Sequence, residues 1–214
     1  DFSFGFWTAV ERVGQAIDDL RTTAQSHHRV MVVECMGRHT GWIAAYAGVA
    51  AAAEAILVPE RQAELRRLCQ RLGELRSAGS RSAVVAVAEG ARLHLDGELL
   101  STTERDEFGQ YQTGGVAALV AAHIQAELSW EARPVVLGHL QRAGPPVAFD
   151  RIFALRLGAR AANLALQGQF GRMAALRNGE IMDIPLAEAV ATARKLSDHF
   201  LDRYENFFAA APRP

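Results

Sequence analysis

The sequence predicts an α/β chain: a three-layer sandwich on a mainly parallel sheet. Nearly continuous apolar runs of strand length, RVMVVECM and AVVAVAE, alternate with amphipathic or Ala-rich helical stretches. Each run ends on a polar, glycine-containing break, where a right-handed crossover would leave the sheet. Half of the 214 residues are hydrophobic, enough to bury a sizeable core.

Val10, Val13, Ala16, Ile17 and Leu20 recur at helical spacing, which predicts an amphipathic helix over 8–26. Residues 29–36 follow as a strand covered on both faces. Gly37, Arg38, His39 and Thr40 break it, and Thr40 is placed to cap an Ala-rich helix over 41–53. The cycle repeats with a short strand AILVP, a charged helix over 61–77 and a buried strand at 83–89.

Residues 92–115 have the weakest periodicity and read as a loop with turns. A helix over 116–128, the strand RPVVLGH and a long helix over 149–166 come next. The RNGE stretch between RMAAL and IMDIP is a hairpin signal, and one amphipathic helix is expected from Leu186 onward. The Ala- and Pro-rich C-terminal stretch reads as frayed.

The formal net charge is −1, which gives no bulk electrostatic footprint for nucleic acid or an anionic membrane. Any anionic ligand must be met by local clusters. The two cysteines, Cys35 and Cys69, lack metal-ligand or CxxC spacing, which favours a reducing cytoplasm. No run of ~18 apolar residues is present to span a membrane.

In open parallel sheets, ligands bind beyond the carboxyl ends of the strands. Those ends carry Met36-Gly37-Arg38-His39, Glu89-Gly90, and His139 with Arg142, whereas Arg29 and Arg133 sit at the opposite, N-terminal strand ends. Arginines fork onto phosphate oxygens and a carboxylate accepts from sugar hydroxyls, so such a rim fits a phosphorylated polyol. Plainer readings stand beside this one. Arg38 also suits a solvated turn, Glu89 a helix cap, His139 a structural histidine, and His27, His28 and Arg29 a solvated helix end. His123 and His199 have no partner visible in the sequence, and the three tryptophans suit the core.

GFWTAVERVGQAIDDLRTTAQSHHRVMVVECMGRHTGW, AILVPE, VAEGA and VVLGHLQRAGPPVAFDRIFALRLGARAANLALQGQFGRM together resemble the 6-phosphofructokinases, in the same order and at family-like spacing. TTAQSHHR and MGRHTGW are similar to the actinobacterial branch, which holds ATP-using and pyrophosphate-using members. The resemblance implies that Met36, Gly37 and Arg38 hold fructose 6-phosphate, with Arg38 near the transferring phosphoryl group, and that Glu89 contacts the sugar. It implies that His139 and Arg142 contact the sugar phosphate, and that Arg29 and Arg133 reach a 6-phosphate across a subunit interface in a homo-oligomer, typically a tetramer. Mg2+ and ATP, or pyrophosphate, are implied as cofactor and donor.

The departures from the family pattern are definite. The GGDG-type loop and the TIDND-type motif, which supply donor binding, the general base and the magnesium ligand, do not occur in these 214 residues. The expectation is a phosphofructokinase-like but incomplete fold, inactive or nearly so alone, with a fructose 6-phosphate-binding domain over 1–145. Residues 146–214 would form helices and a hairpin that pack on a donor domain. Ala143 stands where a glycine is usual, which would restrict the turn carrying Arg142. No lysine pair precedes the strand that leads to Glu89, so effector regulation is not expected, although Arg21 matches another basic position of that site. A non-catalytic sugar-phosphate-binding or oligomerisation module is the alternative from another class.

Overall fold

The structure, a computed structural model, describes residues 1–100, 115–191 and 193–208. The chain divides into two compact units, one of Asp1–Ala9 with Arg142–Arg194 and one of Val10–Gln141 with Lys195–Pro214.

In the larger unit, β1 (Val30–Cys35), β2 (Ala55–Leu57), β4 (Ala83–Ala88) and β7 (Ala132–Val136) form a four-stranded sheet in the order β2-β4-β1-β7. All its pairings are parallel. Strands β1 and β4 are buried on both faces, as their largely apolar runs require, with Glu34 the one charged residue in β1. Val30, Val32, Leu57, Val85 and Val87 pack under α3 (Leu65–Ser77) and α4 (Val116–Leu128), which supply Leu65, Leu68, Leu72, Val120 and Ile124. Each such side chain, fully buried, contributes about 1.5–3 kcal/mol.

The alternate residues face the other way. There α2 (Trp42–Ala50) lies so close that a Cβ on Gly48 would stand 2.7 Å from the Ile56 side chain. This unit is therefore three layers, helix, sheet and helix, as the sequence predicts.

Several local expectations need correction. Residues 92–100 are not only loop: β5 (Leu93–Leu95) and β6 (Glu98–Leu100) form an antiparallel hairpin around Asp96-Gly97, with Asp96 at φ 54°. The two-residue β3 (Ala63–Glu64) extends this small sheet and occupies the start of the expected charged helix, which begins at Leu65 instead. Residues 101–114 of the expected loop, and the C-terminal stretch read as frayed, lie outside the described residues.

Thr40 does not cap α2. The N-cap is Gly41, whose N–H donates to both oxygens of Glu60 at 3.1 and 2.9 Å. The strand at RPVVLGH lies at the edge of this sheet: Arg133, Pro134 and Val136 of β7 are exposed, and an edge is where proline loses no ladder bond.

In the smaller unit, α5 (Ala148–Leu166) is followed by the predicted hairpin of β8 (Arg172–Arg177) and β9 (Glu180–Pro185). Asp150, in the first turn of α5, accepts from the Thr8 N–H at 2.7 Å and the Thr8 hydroxyl at 2.5 Å. The Thr8 Oγ1 in turn accepts from the Val147 N–H at 3.1 Å, which fixes the start of α5. Asp183 pairs with both Arg160 and Arg172, and these two partners hold its carboxyl below the usual carboxylate range.

The helix expected from Leu186 is interrupted. α6 (Leu186–Ala191) stops, and α7 (Asp198–Arg203) starts at Ser197, whose side chain accepts from the Phe200 N–H at 3.2 Å.

Candidate functional site

The carboxyl ends of β1, β4 and β7 lie side by side in the sheet, so the segments that leave them are neighbours. Main-chain bonds continue the ladder past the strands: Glu89 N–H donates to Cys35 O at 2.8 Å, Gly90 N–H to Gly37 O at 3.1 Å, and Leu137 N–H to Glu34 O at 3.2 Å. Met36-Gly37-Arg38 and Glu89-Gly90 are thus locked together before any side chain contributes.

Side chains then tie the segments directly. Glu89 accepts from the Gly37 N–H through Oε1 at 3.2 Å. Gln141 is buried; its Oε1 accepts from the Met36 N–H at 3.0 Å, and its Nε2 donates to the Gly138 carbonyl at 3.0 Å. Gly37 has φ 152°, and a Cβ there would stand 2.6 Å from the Thr40 carbonyl oxygen.

Both N–H groups of the Met36-Gly37 segment are used by Gln141 and Glu89. Arg38 and His139 are both exposed at this rim. Glu89 is half-buried, with one carboxylate oxygen anchoring Gly37. A carboxylate held in this way has its orientation set by the Gly37 main chain.

His139 lies in a 3-10 turn over Gly138–Arg142, and Arg142 closes that turn and opens the smaller unit. Gly144, not Ala143, takes the positive φ of the following turn, at 79°. The alanine therefore imposes no left-handed strain, contrary to the sequence-based expectation.

Arg29 and Arg133 do not join this rim. They lie at the other end of β1 and β7, a strand length away, about 20 Å for six residues at ~3.3 Å each. There the structure brings them to one carboxylate: Glu131 Oε1 accepts from Arg133 Nε at 3.0 Å and Nη2 at 2.6 Å, and Arg29 Nη2 lies 3.3 Å away. Hydrogen bonding from Arg133 holds the Glu131 carboxyl below its ordinary range, and Arg29 adds to the effect.

Reading the sequence missed Gln141, Glu131 and Glu34. Glu34 is buried on β1 and accepts from the Ala117 N–H at 2.9 Å, which serves the first turn of α4 from a distant strand. Its signal was a lone acid within an apolar run. Gln141 sat inside the GHLQR stretch, between the two residues assigned to the phosphate.

Cys35, behind the rim, is not a thiolate: burial pushes its thiol up to about 12, with Glu34 and Glu89 adding to the shift. Arg21 is engaged by Glu54 at 2.6 Å and by the carbonyls of Ala51 and Ala52 at 2.8 Å each. Among the described residues, no three His, Cys, Asp or Glu side chains group together as a closed protein metal site would need. Among them, too, no helix is long and apolar enough to cross a membrane.

Comparison with known proteins gives a consistent picture. An ATP-dependent 6-phosphofructokinase 3 of Streptomyces coelicolor is 44% identical over 198 residues, covering 92% of this chain and 58% of that protein. A pyrophosphate–fructose 6-phosphate 1-phosphotransferase of Amycolatopsis methanolica is 45% identical over 208 residues, covering 97% and 61%. The chain thus spans about three fifths of the length of these curated relatives.

Among solved structures, phosphofructokinase from Saccharomyces cerevisiae superposes with a TM-score of 0.75 at 32% identity, over 89% of this chain and 24% of that one. The pyrophosphate-dependent phosphofructokinase from Marinobacter aquaeolei gives 0.74 at 25% identity, over 95% and 51%. The phosphofructokinase family model matches residues 1–165, and on that span and these likenesses the chain belongs to the phosphofructokinase family.

Proposed function

We propose that this chain supplies the sugar-phosphate half of an enzyme that phosphorylates fructose 6-phosphate at its 1-hydroxyl. The observation that carries the reading is the joined rim: Glu89 bonded to Gly37, and Met36 bonded to Gln141 beside His139. Glu89 would accept from the sugar hydroxyls, and Arg38 would steady charge developing on the transferring phosphoryl group. His139 and Arg142 would hold the 6-phosphate. Arg29 and Arg133 would reach the 6-phosphate bound by a neighbouring copy, which makes the active form a homo-oligomer, a tetramer by family likeness.

The donor and its magnesium ion belong, in this reading, to the two fifths of the relatives' length that this chain does not span. No step in these residues runs through either. Residues 1–145 act as the fructose 6-phosphate-binding part, and residues 146–214 pack against the donor part. The exposed Ile152 and Leu155 of α5 support that packing, since large apolar side chains in register on a helix need a partner.

ATP is the donor proposed. Pyrophosphate is the second reading, favoured by the near-equal identity to relatives of both kinds, 44% and 45%. Arg21 is already held by Glu54 and two carbonyls, so effector control through it is not part of the proposal. The two buried free cysteines suit a cytoplasmic, reducing location.

The test is calorimetric titration of the 214-residue chain with fructose 6-phosphate beside an Arg142→Ala variant. Saturable heat that the substitution abolishes supports the reading. Heat that the substitution leaves unchanged would remove Arg142 from the site, and no heat from a folded chain would mean that the rim does not bind the sugar phosphate unaided.

A further inference from the structure

We propose that Glu131 is an internal counter-anion of the Arg29–Arg133 pair, which an arriving phosphate group must displace. The inference rests on the reading above only for the identity of that phosphate. Its geometric basis is independent.

The register of β1 and β7 sets Val30 opposite Ala132, so Arg29 and Glu131 face each other one residue earlier. Main-chain contacts fix that point: the Val30 N–H donates to the Glu131 carbonyl at 2.8 Å. Next to it, the Trp130 indole N–H donates to the His28 carbonyl at 3.0 Å, and the Arg76 guanidinium lies 5.2 Å from the Trp130 ring centroid. The Glu131 side chain therefore starts from a firmly held backbone, midway between two guanidinium groups.

The part of Arg133 that Glu131 engages matters. It is the Nε–Nη2 edge, at 3.0 and 2.6 Å, and that edge is a fork that fits two oxygens of a phosphate. Arg29 joins the same oxygen at 3.3 Å, while its own Nε is buried with no hydrogen-bond partner among the described residues. One carboxylate oxygen thus occupies the positions of a phosphate without saturating the pair.

Two guanidinium charges and one carboxylate leave a net charge of one positive. A phosphate dianion must break the Arg133–Glu131 fork and tolerate a carboxylate within a Debye length, about 8–10 Å at ordinary salt. Glu131 therefore keeps the arginines ordered when no ligand is present and weakens anion binding, which raises selectivity for ligands with further contacts elsewhere.

Glu131→Gln retains an oxygen acceptor and removes the charge. The experiment is calorimetry at low ionic strength with inorganic phosphate, on the 214-residue chain, the Glu131→Gln variant, Arg133→Ala and the double variant, with melting curves to verify equal folding. The variant should bind phosphate roughly three- to tenfold more tightly than the parent chain, the size expected for removing one nearby like charge in a wet site. The gain should vanish in the Arg133→Ala background. Equal or weaker binding by Glu131→Gln, or no phosphate binding by either protein, would overturn the proposal.

A parallel titration with fructose 6-phosphate separates the two ideas. A Glu131→Gln gain for inorganic phosphate, with fructose 6-phosphate bound no better than phosphate itself, would sustain the counter-anion and remove the sugar-phosphate assignment from this end of the sheet.

Discussion

Gly90 lies against the main chain of Arg38 so closely that a Cβ at position 90 would stand 1.9 Å from the Arg38 carbonyl oxygen and 2.6 Å from its carbon. The obstacle is backbone, which cannot swing aside as the end of a side chain would. The contact joins the segments after β1 and β4, and with the Gly90 N–H bond to Gly37 O it sets where Arg38 emerges.

Gly90→Ala should therefore part these two segments. A cost of about 1–3 kcal/mol is expected, in the range of overpacking against a rigid neighbour. Urea unfolding should show the lower midpoint, and fructose 6-phosphate titration of the folded fraction should lose most of its heat. An alanine variant with unchanged midpoint and binding would mean that the junction yields freely and does not position Arg38.

Gln141 makes a different kind of junction. Replacing it by leucine keeps the volume and leaves the Met36 N–H without its acceptor, and the Gly138 carbonyl without its donor. Stranding buried polar groups costs about 1–3 kcal/mol. Gln141→Leu should lower stability by that amount and weaken fructose 6-phosphate binding severalfold, although Gln141 itself is given no ligand contact. A loss of stability with unaltered ligand affinity would make the residue purely structural.

The sheet of the larger unit was legible because β1 and β4 are buried on both faces, and their composition announces this. The β5–β6 hairpin was not, because its strands are three residues each and β6 is exposed throughout, leaving little pattern besides Asp96-Gly97. The break before α7 was marked by Ser197-Asp198, a capping signal outweighed by the amphipathic spacing around it.

Likewise, Met36, Gly37, Arg38, Glu89 and His139 could be read as one rim from strand ends alone. Gln141 and Glu131 could not, since their roles depend on which oxygen meets which N–H across segments far apart in sequence or across adjacent strands.

On α5, Phe149, Ile152 and Leu155 are 50%, 60% and 74% exposed at a helical spacing of three, and Leu166 at the helix end is 85% exposed. In water such a stripe drives association. The double variant Ile152→Glu, Leu155→Glu should keep the stability of the parent chain within about 0.5 kcal/mol, as exposed positions do. It should also shift sedimentation toward the monomer. Marked destabilisation instead would show that these side chains are packed within the chain itself.

Cys35 carries a pH dependence whose sign follows from its burial. The folded thiol titrates at about 12 against an ordinary value of 9.0, with burial as the main cause and Glu34 and Glu89 as further ones. Below pH 9 both folded and unfolded chains keep the proton, so Cys35 has no effect on the pH profile. Between 9 and 12 the unfolded chain loses it while the folded chain retains it, so the unfolded state binds fewer protons and stability falls as pH rises. The slope from this one group approaches about 1.4 kcal/mol per pH unit at most. Urea midpoints of the parent chain and Cys35→Ala, compared at pH 8, 9.5 and 10.5, isolate the effect from the titration of Cys69 and the lysine. The parent should lose stability faster than the variant above pH 9 and run parallel to it below. Its thiol should also resist alkylation in the folded state and react once urea unfolds the chain. Parallel curves throughout, or rapid alkylation of the folded chain at Cys35, would mean that the thiol meets solvent and that the floor of the rim behind Glu89 is open.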